Sequence, residues 1–144
     1  MSNVETIISI TENIRAAAQG EGIVLSPKTN AQARNVPASV MPTGEIVYTG
    51  ETFEDSYGER PHYVTAGFLI RVEFPERLME DIMRAQQAAA HKLRGALTVS
   101  SLNMGALAES KLVSSVRITE VQAQMKDDIG GVSCVLAVRY RETI

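Results

Sequence analysis

The chain has no tryptophan, and aromatic residues make up only 5% of its 144 residues. Its core must therefore rest mainly on Val, Ile, Leu, Met and Ala. That is a modest core, and it leaves room for subunit contacts to add stability. Cysteine is almost absent as well. Cys134 stands alone, so no intramolecular disulfide can form, which fits a reducing compartment. Beside that one cysteine are two histidines, His62 and His91, in separate segments, and the short Cys/His spacings of a zinc site are missing. No strongly basic surface is available to displace counterions from phosphates, because the formal net charge is −3. The nearest basic run, His91, Lys92 and Arg94, falls near the end of a predicted helix, where positive charge suits the dipole. No apolar run approaches the length needed to cross a bilayer, and Met1-Ser2-Asn3-Val4-Glu5 lacks the basic-then-apolar pattern of a signal peptide. The expectation is a protein made and working in solution, without nucleic-acid specificity or membrane contact.

Hydrophobic residues at 44% and charged residues at 22% are ordinary for a globular protein. The length suits one domain over 1–144, large enough to bury about two thirds of its unfolded surface. Val4 to Ala18 reads as an amphipathic helix, with Val4, Ile7, Ile8 and Ile14 at helical spacing and Ala17 and Ala18 extending the stripe. Ser2 or Asn3 caps its start, and Gly20 and Gly22 are stop signals. Gly22 to Thr43 carries no sustained period, and Val36 to Met41 is a candidate extended piece that Pro37 confines to an edge or to irregular structure. A connection of that length is either functional or tied down by a partner.

Glu45 to Thr49 is a short strand candidate, followed by the polar stretch Gly50 to Pro61. From His62 to Phe74 the alternation is clear: Phe68, Ile70, Val72 and Phe74 share one face and Leu69, Arg71 and Glu73 the other. Pro75 stops that strand and opens a helix from Glu76 to Arg94. Its stripe is Leu78, Ile82, Ala85, Ala89, Leu93 and Ala96. After an irregular or briefly helical stretch from Thr98 to Ser110, Leu112 to Met125 reads as a strand whose apolar phase shifts between Ile118 and Val121. A one-residue bulge accounts for the shift, or a strand that leaves one packing environment for another. The turn signal Lys126-Asp127-Asp128-Ile129-Gly130-Gly131 and the alternating run Val132 to Arg141 complete a long hairpin. The predicted class is α+β, with a mainly antiparallel sheet, a long C-terminal β-hairpin, one long helix packed on the sheet and an N-terminal amphipathic helix.

No catalytic, cofactor or metal constellation accompanies these elements. Glu51, Glu54, Asp55 and Glu59 form the densest acidic cluster, but their spacing is not that of a calcium loop, and a solvated loop explains them. Cys134 falls on the apolar face of the last strand and reads as a small core residue, not a nucleophile. Gln19-Gly20-Glu21-Gly22 follows a helix rather than a strand, so it is no phosphate cradle.

Together, the helix Val4 to Ala18, the extended Val36 to Met41, the acidic insertion Glu51 to Arg60, the strand Gly67 to Phe74, the helix Glu76 to Arg94 and the hairpin strands Val116 to Val121 and Val135 to Arg141 form an ordered pattern. That pattern resembles a tail terminator (tail completion) protein of a long-tailed bacteriophage, over nearly the whole chain. The resemblance implies a structural virion protein of the tail and neck, assembled in the host cytoplasm, without catalysis or cofactor. Such proteins form hexameric rings that cap the tail tube, stop its polymerisation and present a surface to the head connector. The implied partners are further copies of the chain, the tail tube protein, and a connector or head-completion protein. On this reading Glu51, Glu54, Asp55 and Glu59 face the lumen or the tube. Acidic groups there limit DNA adhesion, because like charges repel. The distal hairpin, with Val121, Met125, Asp127 and Asp128, contacts a neighbouring subunit or the tube. The rival readings are another neck component, such as a head-completion or head–tail joining protein, and, from a different class, a small-ligand-binding domain or enzyme with its pocket between helix and sheet.

Overall fold

A computed structural model describes residues 2–27, 43–54, 62–76, 78–126 and 129–142. The chain is α+β. Helix α1 (Asn3–Gly20) precedes strands β1 (Val24–Pro27), β2 (Thr43–Phe53) and β3 (Tyr63–Glu73), and then the long helix α2 (Met79–Ala96). The short helix α3 (Val99–Leu102) and a 3-10 turn (Gly105–Leu107) lead into β4 (Val113–Lys126) and β5 (Ile129–Arg141). The five strands form one sheet in the order β1-β2-β3-β5-β4, antiparallel throughout except for the parallel pair β1–β2.

Alternation sets the layers. Val64, Ala66, Phe68, Ile70 and Val72 of β3, with Val132, Cys134, Leu136, Val138 and Tyr140 of β5, are buried on one face. Ile10, Ile14 and Ala18 of α1 and Ala89 and Leu93 of α2 join them in a single core. The face turned away carries Thr65, Leu69, Val135, Ala137 and Arg139, half-buried, with the exposed Arg71 and Glu73.

Ser2 caps α1. Its hydroxyl accepts from the Glu5 amide at 3.2 Å while the Glu5 carboxylate accepts from the Ser2 amide at 2.9 Å, a reciprocal capping box. The helix buries a different stripe from the predicted one. Thr6, Ile10, Ile14 and Ala18 face the core with Ile7 and Ala17 at its margins, whereas Val4 and Ile8 are exposed. Thr6 can occupy a core position because its hydroxyl donates to the Ser2 carbonyl at 3.0 Å, which satisfies the buried group. Gly22, at φ +80°, turns the chain out of the helix.

Three further expectations need correction. β2 does not end at Thr49. A bulge between Tyr48 and Gly50, with Gly50 at φ +125°, absorbs one residue, and Glu51, Thr52 and Phe53 continue the ladder against Ala66, Thr65 and Val64. The glycine hides the alternation, so these residues read as loop. α2 begins at Met79 rather than Glu76, because the backbone is still extended at Leu78, with φ −82° and ψ 136°. β1 was not anticipated, since its four residues are too few to show a period. The expected extended piece Val36 to Met41 lies outside the described residues.

Asn103, just after α3, acts as a strand partner for the start of β4. Its side chain donates to the Val113 carbonyl at 2.9 Å and accepts from the Val113 amide at 3.0 Å. Asn13 of α1 donates to the Leu102 and Met104 carbonyls at 2.9 and 3.0 Å, tying the same connection to the first helix.

Candidate assembly surface

β4 is an edge strand of fourteen residues. Its ladder with β5 shifts register between Ile118 and Glu120, the place where the apolar phase of the sequence changes. The extra residue is Thr119. It keeps Val121 opposite Cys134 and Ala123 opposite Val132, so Val116, Ile118, Val121, Ala123 and Met125 all point to the helix side of the sheet. Of the two explanations for the phase shift, the bulge is the one observed.

Helix α2 leaves the distal part of this row open. Its Gln86 amide donates to the Gln124 and Gly131 carbonyls at 3.2 and 2.8 Å, holding the helix on the hairpin near β5. Val116 and Ile118 are half-buried against the core, but Val121 and Met125 are 41% and 47% exposed. Met79 and Met83, one turn apart on α2, are exposed as well. The distal half of the edge from Val121 to Met125 carries no charged side chain, whereas natural edges are usually guarded by charge, proline or short length. Asp127 and Asp128 lie outside the described residues.

The acidic cluster is divided. Glu51 sits on the helix side of β2, half-buried, and its Oε1 accepts from the phenol of fully buried Tyr140 at 3.2 Å. Desolvation, reinforced by Glu51, holds the Tyr140 phenol well above the usual tyrosine range and pushes that of Tyr48 up to about 12. Glu54, just past the end of β2, is on the other side. The Arg139 guanidinium donates to both of its oxygens, at 2.6 and 3.1 Å, and to the Ser114 hydroxyl at 3.1 Å. It also lies 3.7 Å from the Tyr63 ring centroid. The bond from Arg139 holds Glu54 below the usual carboxylate range despite its exposure. This clasp joins the ends of β2, β3, β4 and β5. Sequence reasoning singled out none of Arg139, Tyr63 and Ser114; the one available hint was a cation placed on the mixed face of β5. Asp55 and Glu59 lie outside the described residues.

Cys134 is buried and its thiol is pushed up by desolvation, the environment of a packing residue rather than a nucleophile. His91 is exposed on α2 and His62 half-buried beside β3. Among the described residues no three His, Cys, Asp or Glu side chains come together as metal ligands, and no helix is long and apolar enough to cross a membrane.

No protein-family model matches the chain, and no curated protein matches it. A chain from the solved structure titled "Virion of native gene transfer agent (GTA) particle" has a similar fold, with a TM-score of 0.54 over 92% of this chain and 91% of that one. The two are 14% identical, so the likeness is one of fold.

Proposed function

We propose that this protein is a structural component of a phage-type virion, a tail terminator that caps the tail tube as a hexameric ring. The observation that carries this reading is the shared fold over about nine-tenths of both chains with a chain of a gene transfer agent virion. The long edge strand β4, uncharged from Val121 to Met125, supports it, since such an edge is a ready site for strand addition between chains. In this role the ring ends tube polymerisation and offers its other surface to the head connector. No chemistry is required of it. The Glu54 end of the sheet, with Asp55 and Glu59, faces the lumen or the tube, while the Glu51 carboxylate is already engaged by Tyr140. Val121 and Met125, with Asp127 and Asp128, form the contact with a neighbour or the tube.

The test is addition of purified protein to polymerising tail tubes. A terminator fixes the tube ends and shortens the length distribution. Unchanged growth, with binding to filled heads instead, would replace this reading with that of a head-completion protein. Native mass spectrometry supplies the copy number, and six copies are expected. Val121→Glu with Met125→Glu should abolish assembly and leave monomer stability nearly intact, because both side chains are already exposed.

A further inference from the structure

We infer that the occupant of the β4 edge is a second copy of this chain, whose β1–β2 side continues the sheet from one subunit into the next. This rests on the ring reading above and specifies how the ring is joined.

The sheet has two outer edges, β4 on one side and β1 with the upper part of β2 on the other. β1 pairs only with Thr43 to Ile46, so Val47 to Phe53 of β2 extend beyond it with no strand on that side among the described residues. Strand directions make the two edges compatible. β2 is antiparallel to β3, β3 to β5 and β5 to β4, so β4 runs opposite to β2 and to its parallel neighbour β1. Rotating a copy about an axis along the strands preserves those directions. β4 then meets the next copy's β1 and β2 in antiparallel register, and every copy keeps its helices on the same wall.

Levels agree too. Following the pairings across the sheet, Val24 stands in the row of Thr43, Glu73, Gly131 and Gln124, and Pro27 in the row of Ile46, Ile70, Cys134 and Val121. The uncharged segment Val121–Gln124 therefore comes level with the equally uncharged Val24–Pro27 of the neighbour. Val24 is itself 37% exposed. Higher up, exposed Arg117 comes level with Gly50, toward the acidic end of β2. Contacts between two different edges are heterologous, and such contacts close into a ring when the rotation divides a full turn.

Ser26 and Gln122 lie in one row and on the face turned from the core. The test mixes full-length Ser26→Cys protein with Gln122→Cys protein under mild oxidation, with Gln124→Cys as a second β4 position on the same face. Disulfides need Cα atoms within about 7 Å, so a bond reports strand pairing rather than proximity. Covalent dimers are expected in the mixture and not in either protein alone, and a chain carrying both Ser26→Cys and Gln122→Cys should give a ladder of covalent oligomers. Dimers from Gln122→Cys alone would mean that β4 meets β4, which overturns the inference. Oligomers by native mass spectrometry without cross-links at either β4 position would also overturn it while leaving the ring reading standing. A monomer in native mass spectrometry would overturn both.

Discussion

Ile82 of α2 sits directly over Gly130 of β5, so close that a methyl group on the glycine would overlap the isoleucine's Cγ2. The hairpin and the long helix are thus closely fitted at this point, next to the Gln86 bonds to Gln124 and Gly131. Gly130→Ala should cost about 1–3 kcal/mol, because β-branched Ile82 has little rotamer freedom to move aside. Ile82→Ala alone should cost about 2–5 kcal/mol through the cavity it leaves. The double variant should lose less than the sum, and denaturant unfolding of all four proteins measures the coupling.

The orientation of α1 separates two isoleucines. Ile14→Ala should destabilise by about 2–5 kcal/mol. Ile8→Ala should change stability by no more than about 0.5 kcal/mol, since Ile8 is 57% exposed. Equal losses at both positions would mean that the helix is rotated from the orientation described here.

Tyr140 and Glu51 set an alkaline limit. The folded phenol holds its proton above the ordinary value of 10.0, while the unfolded chain releases it there. The unfolded state then binds fewer protons than the native one, so the contribution of Tyr140 falls as pH rises above that value and is fully present below it. Thermal unfolding across that range should show the decline, and Tyr140→Phe should reduce it, leaving the part due to Tyr48, while costing about 1–2 kcal/mol at neutral pH.

Glu54 behaves in the opposite sense. Arg139 depresses its pKa, so the clasp is complete above the ordinary carboxylate value and is lost as pH falls through the lowered folded one. An NMR titration of the Glu54 carboxyl should give a midpoint below that of a free glutamate. In Arg139→Ala the midpoint should return to the ordinary range. An unchanged midpoint in that variant would remove Arg139 as the cause.

Much of the fold was legible because its elements are long and regular. The alternation from Phe68 to Phe74 and from Val132 to Tyr140 needs one buried face and a period of two, and a short window shows both. The Ile118–Val121 phase shift was legible for the same reason: one extra residue in a period of two inverts the pattern, and Thr119 is that residue. The clasp of Arg139 with Glu54, Tyr63 and Ser114 was not legible, because its members are brought together only by strand order.

By itself, then, the sequence determined the α+β class, the two long helices, the hairpin with its shift of apolar phase, and the burial of Cys134; that the shift is a bulge came from the strand pairing. These follow from local periodicity, which each segment carries without reference to the others. Only the tertiary structure decided which stripe of α1 is core, that β2 continues through Gly50 to Phe53, and that β1 joins the sheet in parallel. It also put Glu51 and Glu54 on opposite sides of that sheet. Each of these depends on which strand lies beside which, and pairing between distant segments leaves no period in a single stretch of chain.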